Sequence, residues 1–359
     1  MKKRHITYIL AYITCLAGIS GILTVASYNA HACTSAIVAA SRGVDGRWLL
    51  WKHRDTGHLD NFVARVAPTD STMAYVALFN AEDSLLQEAW IGFNEAGFAV
   101  MNTATYNIPA PADDWKDREG LIISHALRHC TSLDNFRSLL REYPGPRGVQ
   151  ANFGAIDAHG NGAYFEVNDE QVVEFPLDSL AGSDHIEGVA TRTNYSLSGT
   201  DENRLGLSRH KSELHQLDSL IAMPRRWAPE GELAAEDFLE VLSRSFLLPV
   251  NDSTFVDLLD GTAKNFPDKG DVISRRISTA SVVIRGPRPE EAPSEGTVME
   301  VMLGFPALST PHTCTIDSVP PSISTPAPRS AQHMGAVTGR RGKYRFNTAL
   351  LRKRLKGQR

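Results

Sequence analysis

Two blocks of short strands, each followed by two helical segments, constrain the fold of this 359-residue chain most strongly. Apolar runs with β-forming residues predict the strands, and apolar positions at helical spacing predict the helices. The predicted strands lie within 35–106, 151–193, 279–285 and 297–303, and the predicted helices at 120–129, 132–142, 202–221 and 235–246. Such an order favours two sheets packed face to face with helices outside, in one domain.

Local signals predict where several of these elements begin and end. Asn94-Glu95-Ala96-Gly97 is typical of a tight turn between two strands, because Asn and Gly tolerate the backbone angles of such turns. Thr131 and Ser132 are candidate caps for the second helix, and Pro144-Gly145-Pro146 should stop it. The block boundaries are therefore predicted by turn and cap residues as well as by periodicity.

The first 32 residues indicate a secretory signal peptide. A basic start (Lys2, Lys3, Arg4) precedes an apolar run and the small-residue site Ala30-His31-Ala32. We predict cleavage before Cys33 and a periplasmic or secreted protein that meets the membrane only during export. An uncleaved transmembrane anchor is one alternative, because the apolar run is nearly long enough to span a bilayer. Lipoprotein processing, which would acylate Cys33, is the other.

Cleavage before Cys33 would leave a thiol and a free α-amine on the same residue. The thiolate is the competent nucleophile, and an amine with a pKa of about 7.7 to 8.0 can accept the thiol proton near neutral pH. Of the other cysteines, Cys15 leaves with the signal, while Cys130 and Cys314 either pair or are buried thiols. Cys33 is therefore the candidate reactive residue.

Charge and composition exclude some classes of function. The net charge is −4, and removal of the three basic residues of the signal takes it to −7. The acidic body gives no reason to expect nucleic-acid binding. Residues 306–335 are rich in Pro and Ser and predict an irregular wrap, and 336–359 form a tail with nine basic residues and no acidic one.

The sequence offers little support for a metal or a cofactor. Of the twelve histidines, His125 and His129 lie at i and i+4 on a predicted helix but lack the intervening Glu of metalloproteases. No phosphate-binding glycine loop and no Gly-x-Ser-x-Gly elbow is present. We therefore expect neither a metal nor a cofactor.

Several motifs of the mature chain occur in a characteristic order. They are Cys33-Thr34, Lys52-His53-Arg54-Asp55, Gly92 to Phe98 leading to Asn102, Ile156-Asp157 with Gly162 to Glu166, and Thr193-Asn194. Over residues 33–304 this order resembles the N-terminal-nucleophile cysteine hydrolases of the choloylglycine hydrolase and penicillin acyltransferase group. The resemblance implies an α+β fold for residues 33–305: an αββα four-layer sandwich of two mainly antiparallel sheets flanked by helices.

The resemblance also implies a set of site residues. The catalytic ones are Cys33, Asp55, Asn102, Asn194 and Arg276. Asp55 matches an aspartate that orients the N-terminal residue, and Asn194 matches an asparagine of the oxyanion hole, with Asn102 assisting. The late arginine falls within Ser274 to Ile277, where we favour Arg276 over Arg275 because Arg276 leads directly into the last strands.

Two further questions concern the substrate. The family often has an arginine three residues before the aspartate, whereas this chain has Lys52 there and Arg54 beside Asp55, so the cation that completes the site stays open. We expect the substrate to contact Arg54, Phe93, Tyr106 and Tyr195. Acyl, bile-acid and phenylacetyl-like groups fit these residues equally well.

By resemblance, the chain is an exported amidohydrolase or acyltransferase. It would cleave a non-peptide, linear C–N amide of a small molecule through an acyl-thioester on Cys33. Two other classes remain: a lipoprotein binding module acylated at Cys33, and a structural envelope protein whose basic tail contacts anionic surfaces. The intact mass of the mature protein separates the first two, because only a free Cys33 permits catalysis.

Overall fold

The computed structural model describes residues 33–109, 117–143, 145–177, 186–247, 272–275 and 277–326. The chain divides into two units, 1–30 and 31–359, and every described residue belongs to the second. The predicted signal peptide, the basic tail and Arg276 lie outside the described residues.

The elements follow the predicted order of strands and helices. The first block contains β1 (Thr34–Val38), β2 (Leu49–Asp55), β3 (Asn61–Val66), β4 (Tyr75–Asn80), β5 (Ile91–Asn94), β6 (Ala99–Ala104), α1 (Glu119–His129) and α2 (Leu133–Glu142). The second contains β7 (Ala151–Ile156), β8 (Gly162–Val167), β9 (Val172–Pro176), β10 (Val189–Arg192) and α3 (Leu207–Ile221). The chain continues with β11 (Ser278–Arg285), α4 (Pro293–Gly296), β12 (Val298–Leu303) and β13 (His312–Cys314).

The strands form two antiparallel sheets. The six-stranded sheet has the order β10-β1-β2-β11-β12-β13, and the seven-stranded sheet has the order β3-β4-β5-β6-β7-β8-β9. The seven strands are consecutive in sequence, whereas β1 and β2 pair with strands from the second half of the chain. The six-stranded sheet is therefore where distant parts of the sequence meet.

The strands and helices pack against one another through three apolar layers. One lies between the sheets and includes Ile37, Val76 and Val282. A second joins the outer face of the seven-stranded sheet to α1 and α2, with Phe136 at its centre. The third joins the outer face of the six-stranded sheet to α3 and the turns after it, through Phe238. These layers confirm the α+β arrangement of two stacked sheets flanked by helices.

Local signals in the first block act as predicted. Ser132 caps α2, and its side chain accepts a hydrogen bond from the backbone N–H of Asn135 at 3.3 Å. Gly97 has φ +76°, in the left-handed region, and the Asn94 side chain accepts hydrogen bonds from the backbone N–H groups of Ala96 and Phe98. The turn residues between β5 and β6 therefore form a tight, side-chain-stabilised connection.

Two predicted segments differ from the structure. The helix predicted at 235–246 is instead a π-helical turn, Asp237–Val241, followed by a 3₁₀ turn, Leu242–Arg244. The segment predicted as an irregular wrap contains β13, which pairs with β12 and buries Cys314. Both differences arise because tertiary packing overrides weak local patterns.

Strand β2 places charged side chains on both faces of its sheet. Its apolar start contributes Leu50 to the layer between the sheets and Trp51 to the outer layer. Because side chains alternate along a strand, Lys52 and Arg54 continue on the inner face, and His53 and Asp55 continue on the outer face. All four are buried, so this end of β2 needs partners for every charge.

Candidate active site

A small cavity lies at the charged end of β2, beside the start of β1. Its volume is about 20 Å³. Its wall contains Cys33, Lys52, Arg54, Asp55, Thr56, Trp90, Asn102, Ala104, Asp117 and Glu119. The cavity therefore brings together four predicted site residues, Cys33, Arg54, Asp55 and Asn102, from three separate parts of the sequence.

Contacts of its backbone and of the adjacent Thr34 hold Cys33 in place. Thr34, the first residue of β1, pairs with His53, which sets Cys33 beside the end of β2. The carbonyl of Cys33 accepts a hydrogen bond from Nη1 of Arg209 at 2.7 Å, and the same Nη1 donates to Oγ1 of Thr34 at 2.9 Å. Sγ of Cys33 lies 4.0 Å from the backbone oxygen of Asp55. The nucleophile candidate thus sits on a fixed backbone next to Asp55.

Asp55 has strong partners on both carboxylate oxygens. Arg275 donates to Oδ2 through Nε at 2.7 Å and also through Nη2, and Ser278 donates to Oδ1 through its hydroxyl at 2.6 Å. His53 Nε2 lies 2.9 Å from that hydroxyl and 3.6 Å from Oδ1. Burial lowers the pKa of His53 to about 4, so His53 is neutral at neutral pH.

Local irregularity in β11 helps to create this arrangement. The register between β2 and β11 shifts between Ser278 and Ala280, which is a bulge next to the site. The Ser278 hydroxyl also accepts a hydrogen bond from the backbone N–H of Arg275 at 3.0 Å. Because Ser278 pairs with Asp55 and its N–H donates to the backbone oxygen of Arg275 at 2.9 Å, Arg275 is held beside the end of β2.

Lys52 connects the two sheets across the cavity. Its Nζ donates to the backbone oxygen of Asn102 at 2.7 Å, to Oδ1 of Asn102 at 2.6 Å and to the backbone oxygen of Trp90 at 3.1 Å. Three acceptors match the three hydrogens of an ammonium group. Burial, opposed by the nearby Cys33, lowers the pKa of Lys52 to about 8.

Arg54 has a different set of partners. It donates to Oδ1 of Asn61 and, at 2.9 Å, to Oδ1 of Asn80, and its guanidinium carbon lies 4.7 Å from the ring centre of Trp90. Burial lowers the pKa of Arg54 to about 10, so the side chain keeps its charge at neutral pH. Both cations on the inner face of β2 therefore stay charged near Cys33 at neutral pH. Their contacts differ, because Lys52 binds Asn102 and Arg54 binds Asn61 and Asn80 and packs on Trp90.

Asn194 lies directly after β10 and is tied to the same cluster. Its Nδ2 donates to the backbone oxygen of Ala104, a cavity residue, at 2.7 Å, and its Oδ1 accepts from Nη2 of Arg209 at 2.7 Å. Arg209 therefore bridges the backbone of the nucleophile candidate and the side-chain amide of Asn194. This arrangement fixes which way the amide points.

The remaining predicted site residues are Arg276, Phe93, Tyr106 and Tyr195. Arg276 lies outside the described residues, and its neighbour Arg275 forms the ion pair with Asp55. Phe93 is fully buried in the layer between the sheets and does not reach the cavity, so its predicted substrate contact is corrected. Tyr106 and Tyr195 are not on the cavity wall either, and the Tyr195 ring packs against His210 at 5.6 Å.

Arg209 is the site residue that sequence reasoning missed. It lies on α3 and is fully buried, and burial followed by the nearby Arg275 lowers its pKa to about 9. The sequence signal for a buried Arg209 was polar residues that recur at helical spacing on the same face as an apolar one. The buried face of α3 contains Arg209, Glu213, Gln216 and Leu217. Such polar positions are ordinarily read as the solvent face of a helix.

The described residues offer no arrangement for a metal or a membrane span. Among them, no group of three His, Cys, Asp or Glu side chains is placed to hold a metal ion. His125 and His129 stack with ring centres 4.6 Å apart and have no third ligand in that set. Within the same ranges, none of the helices combines the length and the apolar character that crossing a bilayer requires.

Comparisons with known proteins give structural likenesses only. No family model matches the chain, and a search of curated proteins finds no match. Among solved structures, the conjugated bile acid hydrolase of Clostridium perfringens is 11% identical with a TM-score of 0.49, covering 80% of this chain and 94% of that one. Penicillin V acylase of Agrobacterium tumefaciens is 14% identical with a TM-score of 0.43, covering 80% and 87%.

A third solved structure is similar over a shorter part of the chain. The Caenorhabditis elegans ortholog of N-acylethanolamine-hydrolyzing acid amidase is 14% identical with a TM-score of 0.42, covering 70% of this chain and 92% of that one. Identities and TM-scores this low carry no argument about what this chain does. The functional conclusion depends on the chemistry of the cavity around Cys33.

Proposed function

We propose that the protein is an exported amidohydrolase that cleaves linear amides of small molecules through an acyl-thioester on Cys33. The observation that carries this proposal is the position of Cys33 on the wall of a cavity with two buried cations, Lys52 and Arg54. A cavity that places a thiol next to lysine and arginine side chains is the usual setting of a reactive cysteine. The chain is cut between Ala32 and Cys33 before it becomes active.

The first half of the reaction transfers the acyl group to sulfur. The free α-amine of Cys33 takes the thiol proton, and the thiolate attacks the carbonyl carbon of the amide. The resulting oxyanion collapses, the C–N bond breaks, and the ammonium of Cys33 returns the proton to the leaving nitrogen. The products of this half are a free amine and an acyl-thioester.

The second half releases the acid. The α-amine takes a proton from water, the hydroxide attacks the thioester carbonyl, and the C–S bond breaks. The sulfur leaves as thiolate and is reprotonated by the ammonium, so the residue returns to its starting state. An amine in place of water would give acyl transfer by the same sequence.

The groups around Cys33 support these steps. Asn194, oriented by Arg209 and Ala104, is the candidate oxyanion donor, a role typically worth about 2.7 to 4 kcal/mol. The backbone oxygen of Asp55 lies 4.0 Å from Sγ of Cys33, and its carboxylate is fixed by Arg275 and Ser278. This carboxylate is the candidate group to orient the ammonium. Rigid partners of this kind favour catalysis because little reorganisation is needed during the reaction.

The burial of Cys33 favours this function over lipid modification. Its side chain is 5% exposed, and its carbonyl is anchored by the fully buried Arg209. A diacylglycerol group on Sγ would have to displace the cavity wall. A catalytic cysteine needs only a small acyl group at that position.

Intact mass and turnover of the mature protein test the proposal together. The protein is prepared with Cys33 as its first residue and incubated with a panel of neutral N-acyl anilides. We expect Cys33-dependent release of aniline and, in rapidly quenched samples, a mass increase equal to the acyl group on Cys33. A mature protein carrying two or three fatty acyl chains, or turnover that survives Cys33→Ala, would contradict the proposal.

A further inference from the structure

A second cavity adjoins the one that contains Cys33. Its volume is about 450 Å³, and it shares Trp90 and Asp117 with the smaller cavity. Its wall contains His58, Asn80, Glu82, Asp83, Gln87, Glu88, Trp90 and Asp117. A molecule whose amide lies at Cys33 therefore has room to extend past Trp90 into this larger space. We call the larger space the outer cavity and the cavity that contains Cys33 the inner cavity.

The outer cavity is lined by negative charge. Four of its wall residues are acidic, and His58 is the single titratable base on the wall, with no Lys or Arg among the described lining residues. Part of this charge already has partners: Oδ2 of Asp83 accepts hydrogen bonds from two backbone N–H groups at 2.8 Å, and Glu82 lies 3.7 Å from His58. The remaining carboxylates are Glu88 and Asp117.

The charge of Asp117 acts on Glu88. Burial, followed by the charges of Asp117 and Asp83, raises the pKa of Glu88. Asp117 is exposed as a residue, but partial desolvation of its carboxylate raises its pKa, although Arg54 and Lys52 act in the opposite direction. Lys52 and Arg54 are engaged by their own acceptors, and the repulsion that Asp117 exerts on Glu88 is not cancelled by them. A positive group between the two carboxylates would relieve it.

A separate observation comes from the wall of the cavity that contains Cys33. Glu119 is 2% exposed, lines the inner cavity, and its Oε2 has no hydrogen-bond partner among the described residues. A buried carboxylate oxygen without a donor is costly, and a bound ligand that donates a hydrogen bond removes the cost.

We infer that the substrate carries a cationic group, an ammonium or a guanidinium, that binds among Glu88, Asp117 and Glu119 when the amide lies at Cys33. This inference rests on the proposed amide chemistry and adds the substrate class. The cationic group donates hydrogen bonds to carboxylates that have few donors of their own, and its charge offsets theirs. The cation can belong to the acyl chain or to the leaving amine, because both extend from the same amide.

The test compares matched substrates. One pair of anilides has an acyl chain that ends in an ammonium or in an isosteric methyl group; a second pair has a neutral acyl group and a cationic or neutral leaving amine. In one of the two pairs we expect kcat/KM to favour the cationic member by at least about tenfold at low ionic strength. Salt at 0.5 M should reduce this preference about threefold through screening. The pair that responds identifies which side of the amide enters the outer cavity.

Variants locate the effect. The double variant Glu88→Gln/Asp117→Asn should lower the cationic-to-neutral ratio of kcat/KM about tenfold, and each single variant should lower it by less. Glu230→Gln removes the same charge from an exposed position outside both cavities and should leave the ratio unchanged. Because both substrates are measured on one protein preparation, a partly folded sample does not alter the ratio.

Failure of this inference is distinguishable from failure of the proposed function. Cys33-dependent hydrolysis of neutral and cationic members at equal rates would overturn the cationic subsite and leave the amidase intact. If no amide is cleaved, binding of the cationic and neutral amides to the Cys33→Ala protein is measured by calorimetry. Equal affinities there would overturn the subsite, and at least tenfold tighter binding of a cationic amide, lost in the double variant, would support it.

Discussion

The three described cysteines are all buried, but their surroundings differ. Cys130 packs in the apolar layer beneath α1 and α2, and Cys314 packs between the sheets. Burial raises the pKa of both thiols to about 12, and both are free, not joined in a disulfide. Cys33, by contrast, shares its cavity with Lys52 and Arg54. A thiol packed in an apolar layer is inert, whereas a thiol that shares a cavity with lysine and arginine side chains is in the usual setting of a reactive cysteine.

Removing the thiol of Cys33 or that of Cys130 should give the largest difference in amide turnover between these regions. Cys33→Ala should abolish amide turnover and leave the fold intact. Cys33→Ser should keep a rate of about a per cent or less, because a hydroxyl is a weaker nucleophile. Cys130→Ala should retain turnover while lowering the free energy of unfolding by about 1 kcal/mol through a small cavity. Steady-state kinetics and chemical denaturation measure the two effects, and equal loss of activity in both variants would remove the distinction.

A single residue left before Cys33 should lower turnover nearly as much as loss of the Cys33 thiol. With Ala32 attached, the α-amine of Cys33 becomes a peptide nitrogen that cannot accept a proton. Turnover should fall by about 10² to 10⁴, the usual contribution of a general base. The same preparation should regain activity when a specific protease removes the extra residue. Full activity with Ala32 still present would show that the base lies elsewhere.

The buried ion pair beside Cys33 can be compared with one far from it. Asp55→Asn leaves the Arg275 charge without its partner, and Asp237→Asn does the same to Arg225 in the turns after α3. Each should lower the free energy of unfolding by about 3 to 5 kcal/mol. We expect only Asp55→Asn to lower kcat/KM of the folded protein as well, by about 10² to 10⁴, and to move its acidic limb to lower pH. The limb is measured from pH 4 to 9 for both variants; an unmoved limb in Asp55→Asn would make Asp55 purely structural.

Arg209 should affect turnover through position and not through substrate binding. Arg209→Lys keeps a positive charge but loses the fork that reaches Cys33 and Asn194 together. We expect kcat to fall by about 10- to 100-fold with little change in KM, since the oxyanion donor is misplaced only in the transition state. Arg204→Lys, in the exposed loop before α3, is the matched control. A rise in KM at constant kcat would assign Arg209 to substrate binding.

The smallest expected effect concerns pH and Lys52. As pH rises through about 8, the buried Lys52 loses its proton, its charge beside Cys33 and one of three donated hydrogen bonds, so kcat/KM should fall. Lys52→Arg should move this alkaline limb upward by at least about one pH unit, because arginine stays protonated. An alkaline limb at the same pH in both proteins would mean that another group causes it.

The lowered pKa of Lys52 also has a consequence for stability. An unfolded lysine has a pKa of 10.5, so between about pH 8 and 10.5 the folded protein binds fewer protons than the unfolded chain. The contribution of Lys52 to the free energy of unfolding therefore rises with pH across this window. Buried Arg209 and Arg54, whose pKa values are also lowered, contribute a rise in both proteins. Chemical denaturation at pH 8 and pH 10 should therefore show a larger rise in wild type than in Lys52→Met, and the difference is the contribution of Lys52.

Much of the fold could be predicted because its signals are local. Strands β1 to β12 lie within one residue of the ranges that the apolar runs predict, and Ser132 and the Asn94 to Gly97 turn act as their residue types suggest. Strand β13 and the π-helical turn at Asp237–Val241 were missed, because a three-residue strand and an irregular turn have little periodicity of their own. Their conformation depends on what they pack against.

The candidate site could be predicted only in part. Cys33, Asp55, Asn102 and Arg54 do line one cavity, and Asn194 is bonded to its wall. Phe93 does not, because alternation along β5 directs its side chain into the layer between the sheets. Arg275, which we did not favour, forms the ion pair with Asp55 next to a bulge in β11 that no local pattern in that stretch revealed.

The sequence by itself therefore determined the order of strands and helices and the chemical options of Cys33, since both follow from residue type and short-range spacing. Only the tertiary structure decided which charges surround that residue. Arg209 reaches Cys33 across 176 residues, and Arg275 reaches Asp55 across 220. Such contacts depend on sheet register and helix packing, which place residues by the free energy of the whole fold and not by their neighbours in sequence.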